Sequence, residues 1–171
     1  LTVGETYFFR EQESLNALEE HILPGLMRAC AQADRPLRIW CAGCCTGEEP
    51  YSIAMLIDRL QSPSEEWNAT IQATDINPVF LEKAATGIYS EWSFRHTPAW
   101  IRERYFRQRK DGSFEISPHI RKRVVFSYLN LADEVYPSSI RESGLMDIIL
   151  CRNVLMYFSP ESTARALRNL H

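Results

Sequence analysis

Residues Arg38 to Ala54 read R-I-W-C-A-G-C-C-T-G-E-E-P-Y-S-I-A, and the fold follows from how this stretch is taken. Leu37, Ile39 and Trp40 form a short apolar run with β-preferring members, as in a buried strand. Gly43-Cys44-Cys45-Thr46-Gly47 then has almost no side-chain bulk, so backbone can come close to a ligand there. Glu48, Glu49 and Pro50 follow, where acids complement the positive end of a helix and proline is tolerated in the first turn. Strand, small-residue turn and helix N-terminus, in that order, make the arrangement that cradles nucleotides. Neither G-x-x-x-x-G-K-[ST] nor G-x-G-x-x-G is present, and two glutamates at the helix mouth repel a pyrophosphate. They suit a ligand with an amino group and ribose hydroxyls.

Working outward, Ile53 to Leu60 is a largely buried helix, and Ala69 to Thr74 is a second strand that stops at Asp75. Asn77-Pro78 opens a further helix with an N-cap and an N1 proline, and Gly87 closes it. An acid at the end of the strand after a glycine-turn strand is placed to accept both ribose hydroxyls. Aspartate is also common in ordinary turns, and only the pairing with the glycine turn favours the ligand. Thr97-Pro98 starts a short helix through Tyr105, and Phe106 to Ile116 reads as a hairpin around Asp111-Gly112. Val124 to Phe126 is a strand leading to Asn130-Leu131, a helical stretch is expected near Asp133 to Glu142, and Leu145 to Leu150 is a fourth core strand. Cys151-Arg152-Asn153-Val154-Leu155-Met156-Tyr157-Phe158 follows, and Ser159-Pro160 caps the last helix. Upstream, Tyr7-Phe8-Phe9 reads as an aromatic plug entering the core, and Glu11 to Ala33 as an amphipathic helix kinked or divided at Pro24. Alternating strands and helices mean a parallel sheet, whose ligands bind outside the carboxyl ends of the strands. The glycine turn, Asp75, Asn130 and Arg152-Asn153 all fall at such ends.

A chain of 171 residues, 45% of them hydrophobic, suffices for one domain with a real core. No eighteen-residue apolar run and no charged-apolar leader occur, which points to a cytoplasmic protein without membrane insertion. The closing R-A-L-R-N-L-H falls inside a helical pattern without a stop signal, as in a section of something longer. Five cysteines, three of them in one turn, are no disulfide framework. Cys41-Ala42-Gly43-Cys44 is formally C-x-x-C, but two acids follow where a thiolate wants positive surroundings, and no partner motif completes a zinc site. His21, His96, His119 and His171 are scattered and read as surface or packing residues.

The Gly43–Gly47 turn resembles the G-C-G-T-G loop of S-adenosylmethionine-dependent methyltransferases, with Cys41 where that superfamily usually has a carboxylate. By that resemblance another acid would hold the methionine ammonium, and Glu49 is the one assigned to it. Beyond the turn, T-Y-F-F-R-E (Thr6 to Glu11), T-G-E-E-P-Y-S (Thr46 to Ser52), A-T-D-I (Ala73 to Ile76), L-N-L (Leu129 to Leu131) and C-R-N-V-L-M-Y-F (Cys151 to Phe158) resemble, in order, the bacterial chemotaxis receptor methyltransferases, the CheR family. The resemblance implies an α/β, Rossmann-like methyltransferase fold with a small inserted antiparallel β-subdomain. Residues 1–36 would pack as an N-terminal segment and helix on a catalytic domain of residues 37–171, with the subdomain at about 101–123. It also implies a protein-glutamate O-methyltransferase that moves a methyl group from S-adenosylmethionine to chemoreceptor glutamates, leaving S-adenosylhomocysteine. Thr6, Arg10, Ala42, Gly43, Glu49, Asp75, Asn130, Leu131, Arg152 and Asn153 would line the cofactor pocket, with Arg10 and Tyr157 positioning the reacting groups. Gly4 stands where the family often has asparagine.

The segment from Ile101 to Arg123 holds eight basic residues (Arg102, Arg104, Arg107, Arg109, Lys110, Arg121, Lys122, Arg123) against three acids on a chain of net charge −3. It is expected to dock the cytoplasmic helices of a receptor. Overall acidity and the lack of a nucleic-acid motif argue against nucleic acid. Two other readings share the cofactor pocket: a small-molecule methyltransferase, and a non-catalytic cofactor-sensing module that has no need of Arg10 and Tyr157.

Overall fold

The computed structural model describes residues 4–62, 66–134, 136 and 145–170. The chain enters through α1 (Gln12–Ala17), a π-helical turn at Leu18–Ile22 and α2 (Leu23–Gln32). The long helix expected here is therefore divided beside Pro24, whose missing N–H breaks the regular ladder and leaves a wider turn behind it. Next come β1 (Leu37–Ala42), α3 (Glu48–Leu60), β2 (Ala69–Asp75) and α4 (Pro78–Thr86). The Asn77 side chain caps α4 by accepting from the Val79 and Phe80 N–H groups, and Gly87 ends it in the left-handed region at φ 67°. β3 (Ile88–Tyr89), a 3-10 turn (Glu91–Phe94), α5 (Ala99–Tyr105), β4 (Phe106–Gln108), β5 (Phe114–Ile116) and α6 (Pro118–Arg121) make the excursion. β6 (Val124–Tyr128), β7 (Ile148–Leu150), a 3-10 turn (Leu155–Tyr157) and α7 (Pro160–Leu170) complete the described chain.

Among the described residues the main sheet has four parallel strands in the order β6-β2-β1-β7. β1 is thus covered on both edges and both faces. Leu37, Ile39 and Cys41 join the larger core with Leu15, Ile53 and Met55, while Trp40 and Ala42 join a second cluster with Leu129, Leu131 and Tyr136. Such two-sided burial explains why its sequence is a continuous apolar run rather than an alternation. The chain leaves β1 toward β2 on one side and returns to β7 on the other, and at that reversal a crevice opens at the carboxyl ends of the strands.

The small sheet is antiparallel, in the order β3-β5-β4. The Asp111-Gly112 turn forms as read: Asp111 Oδ1 accepts from the Ser113 N–H at 3.0 Å, and Gly112 sits at φ 81°. One boundary needs correction. The third strand, Ile88–Tyr89, lies outside residues 101–123, because two residues are too few to show a strand period and only pairing to Phe114 and Glu115 makes them one. The fourth core strand is also shorter than expected, Ile148–Leu150 rather than Leu145 to Leu150. The helical stretch expected near Asp133 to Glu142 falls largely outside the described residues.

Candidate functional site

The glycine turn is closed by β2 rather than held open for a ligand's phosphates. The N–H groups of Gly43 and Cys44 both donate to the Thr74 carbonyl at 2.8 Å, and the Cys45 N–H donates to Asp75 Oδ2 at 2.8 Å. Three amides that line up on an anion in a phosphate loop are thus already satisfied. Gly43 must be glycine on two counts: φ is 81°, and a Cβ there would lie 2.4 Å from Val154 Cγ2. The close approach at Gly43 is to Val154 of the segment after β7.

The two glutamates at the mouth of α3 separate. Glu48 is buried, accepts from Thr46 Oγ1 at 2.6 Å and Ser93 Oγ at 3.1 Å, and knits the turn to the excursion. Glu49 faces a cavity of about 340 Å³ at the strand ends. Burial pushes its carboxyl up to about 7, although Arg152, whose Nη1 lies 3.2 Å from Glu49 Oε2, pulls the other way. Arg152 Nη2 also donates to the Arg10 carbonyl at 2.7 Å and pairs with Glu11 Oε2 at 3.0 Å, while its Nε is buried without a partner among the described residues.

The same cavity is walled by Thr6, Arg10, Gly43, Asp75, Asn130, Leu131, Asn153 and Tyr157. Ala42 is the exception and a correction. It is 1% exposed and is not among the residues that wall the cavity; it is packed with Trp40, Leu129 and Leu131 beneath that wall. Asp75 is 8% exposed, and its Oδ1 accepts from the Asn77 N–H at 2.9 Å. It therefore stitches two turns and still has lone pairs for a ligand. Asn130 is likewise part turn residue: its Oδ1 accepts from the Ala132 N–H at 3.0 Å and its Nδ2 donates to Asp133 Oδ1 at 2.7 Å. One amide hydrogen and one lone pair remain. Tyr157 stands at the rim, 61% exposed.

Sequence reasoning missed Ile76 and Phe80, which add an apolar wall beside Asp75. Their signal was available, since both lie within one turn of the Asn77 cap at a strand end. It missed Glu5, Tyr7 and Val154 as well. The first two belong to a strap, residues 5–10, that crosses the cavity and is pinned where the Phe9 N–H donates to Ser52 Oγ at 3.0 Å. Phe9 and Glu11 adopt positive φ, 57° and 59°, so this strap is held by its anchors rather than by backbone preference.

The cysteine turn has the wrong electrostatics for thiolate chemistry. Cys41 and Cys44 are buried, and burial pushes both thiols far up; Cys45 and Cys151 are pushed to about 11, again chiefly by burial. All four remain protonated at neutral pH.

Residues 4–171 match the family described as CheR methyltransferase, SAM binding domain. Chemotaxis protein methyltransferase 2 of Vibrio cholerae is 38% identical over 174 residues, covering 100% of this chain and 58% of that protein. A chemotaxis protein methyltransferase of Borreliella burgdorferi is 37% identical over 171 residues, covering 99% of this chain and 59% of that protein. An uncharacterized 104.1 kDa protein of Rhodobacter capsulatus is 40% identical over 172 residues, which are 100% of this chain and 17% of its own. The chain thus spans about three fifths of the length of the first two relatives.

Proposed function

The chain belongs to the CheR methyltransferase family, and from that premise we propose that it is the cofactor-binding part of an enzyme that methylates glutamate side chains of chemoreceptors with S-adenosylmethionine. The observation that carries this reading is that all five motif blocks supply residues to one cavity: Thr6 and Arg10, Glu49 and Ser52, Asp75 and Ile76, Leu129 to Leu131, and Arg152 to Val154 with Tyr157. The donor set fits the cofactor. Two carboxylates at different strand ends suit an ammonium and a ribose diol, Ile76, Phe80 and Leu131 offer an apolar wall for a base, and the orphaned Arg152 Nε is a donor for an anionic group. Bound there, S-adenosylmethionine supplies an electrophilic methyl group on a sulfonium.

In this reading Glu49 holds the ammonium and Asp75 the ribose hydroxyls, while Gly43 lets the turn pack against Val154 on the cavity wall. An acceptor glutamate has a pKa of about 4.3 and arrives ionised, so no general base is needed. The chain's contribution is alignment and exclusion of water, which can be worth about 7–11 kcal/mol. Arg10, whose guanidinium donates to the Glu5 carbonyl at 2.6 Å, and Tyr157 at the rim orient the incoming carboxylate. No helix among the described residues is long and apolar enough to cross a membrane. The full-length protein, incubated with labelled S-adenosylmethionine and receptor cytoplasmic fragments, is expected to place base-labile label on the receptor. Label that resists base, or that goes only to small molecules, refutes the reading.

Receptor docking through the basic excursion belongs to the same proposal, on fewer free charges than the sequence suggests. Arg102, Arg104, Arg107 and Arg109 face the carboxylates of Glu91, Asp58, Glu115 and Asp111, while Arg121 donates to the Thr86 carbonyl and Arg123 stacks on Trp67. Lys110 and Lys122 are the cleaner probes. Reversing both to glutamate is expected to lower kcat/KM for receptor about tenfold at low salt and to leave cofactor affinity unchanged. Wild-type kcat/KM should fall as salt rises toward physiological strength, where exposed charges are screened over about 8 Å. A double reversal with wild-type kinetics at low salt removes docking from this face.

A second expectation concerns the thiols. Replacing Cys41, Cys44 and Cys45 together with alanine should cost about 1 kcal/mol of stability per buried site and leave methyl transfer near wild type. Reversible inactivation of the wild type by mild oxidant, absent from the triple variant, would restore the redox reading.

A further inference from the structure

Just before α5, alternating aromatic rings and guanidinium groups form a ladder that runs from the surface to the cavity. The Arg95 guanidinium lies 4.6 Å from the centre of the Trp92 ring and 4.3 Å from that of Tyr7. Tyr7 in turn has the Arg10 guanidinium 5.9 Å from its own ring centre. Arg95 Nη1 also donates to the carbonyls of Trp92 at 2.9 Å and Thr6 at 3.3 Å. On either side of it, the Phe8 N–H donates to the Ser93 carbonyl at 2.9 Å, and Thr97 Oγ1 donates to the Phe8 carbonyl at 2.9 Å. The segment Ser93 to Thr97 therefore grips the strap at Thr6, Tyr7 and Phe8. Thr6, Tyr7 and Arg10 wall the cavity; Trp92 and Arg95 do not.

Ion pairing does not account for this arginine. Its side chain is 14% exposed, yet the nearest carboxylate, Glu5, stands 3.8 Å away and is 71% exposed. Burying a guanidinium is costly without partners, and here the partners are two rings and, at Nη1, two carbonyls, a set that suits a planar, delocalised cation better than an ammonium, while Nη2 is buried without a hydrogen-bond partner among the described residues. Trp92, 70% exposed, keeps its bulk on the surface to cover that cation.

We propose that Arg95 is a positioning residue for the cofactor, holding the strap so that Thr6, Tyr7 and Arg10 keep their places on the cavity wall. This rests on the reading that the cavity takes S-adenosylmethionine. The ladder also puts the excursion, which carries Trp92 and Arg95, in direct contact with the strap.

The test compares wild type, Arg95→Ala and Arg95→Lys in the full-length protein by amide hydrogen exchange without ligand and by cofactor kinetics. Arg95→Ala should speed exchange across residues 6–10 while β1 and β2 keep wild-type protection. It should raise the KM for S-adenosylmethionine about tenfold with kcat within about threefold, as expected for the loss of cation–π contacts and two hydrogen bonds. Arg95→Lys should fall between the two. Wild-type exchange in the strap together with wild-type KM in Arg95→Ala overturns the proposal. So does a loss of protection throughout β1 and β2 with KM unchanged, since that is a general structural role. A wild type that binds no S-adenosylmethionine refutes the assignment of the cavity and the cofactor role of Arg95 with it, whereas wild-type binding alongside an unaffected Arg95→Ala refutes this proposal alone.

Discussion

Asp75→Ala is expected to weaken S-adenosylmethionine and S-adenosylhomocysteine alike by about two orders of magnitude, since hydrogen bonds to a charged group are worth about 1.5–3 kcal/mol each. Two effects combine. The ribose would lose its acceptor, and the Cys45 and Asn77 N–H groups lose the oxygens that fix the turns on both sides of the crevice. Asp75→Asn separates them. Its single amide oxygen still accepts from one backbone N–H and its amino group opposes the other, so affinity should fall between wild type and alanine. Calorimetry gives the affinities, and thermal unfolding gives the cost of the loosened turns. A lower Tm with unchanged affinity for both ligands would make Asp75 a turn residue only.

Cofactor affinity should rise with pH through the neutral range, and Glu49 is the reason. Without ligand its carboxyl is pushed up to about 7, mainly by burial. An ammonium beside it favours the ionised form, so binding below that pKa must first release a proton. Affinity is then lost as pH falls and levels off above about 7. Between pH 7.5 and 5.5 the ionised fraction of a group with that pKa drops about 25-fold, and the dissociation constant should rise by a similar factor. The ligand's own α-amino group, with a pKa of about 7.7–8.0, sets the upper limit of the useful window. Glu49→Gln should bind weakly and with a nearly flat pH profile. A wild-type profile that is already flat from 5.5 to 7.5 would take the ammonium away from Glu49. The stability of the ligand-free fold runs the opposite way. A carboxyl whose folded pKa lies above its unfolded value of about 4.5 binds more protons folded than unfolded, so this group's contribution declines as pH rises from about 4.5 to about 7.

Much of the site was legible because each part of it is a local device. Asn77-Pro78 and Gly87 mark the ends of α4, Pro24 marks the break in the first helix, and Asp111-Gly112 marks the hairpin, each through a backbone constraint of one or two residues. Strand ends followed by small or polar residues located the carboxyl edge of the sheet, and with it Gly43, Asp75, Asn130, Arg152 and Asn153. Local pattern could not separate Glu48 from Glu49. Adjacent residues on a helix differ by about 100° in direction, and which of them meets Ser93 and which meets Arg152 depends on elements 45 and about a hundred residues away along the chain.

Ala42 was misplaced for a related reason. A strand buried on both faces carries no alternation to say which side chain packs where, and only the partners, Trp40, Leu131 and Tyr136 in one cluster and Ile53 in the other, show that Ala42 is covered by its neighbours rather than open to the cavity. The two-residue strand at Ile88, the paired arginines of the excursion and the ladder through Arg95 likewise exist only as contacts between distant segments. The amino-acid sequence by itself determined the strand-turn-helix unit, the caps and breaks, and the family, because those depend on backbone constraints and residue order within a few positions. The tertiary structure decided which glutamate faces the cavity, how the glycine turn spends its amides and what holds the strap, because burial and pairing are properties of residues brought together by the fold.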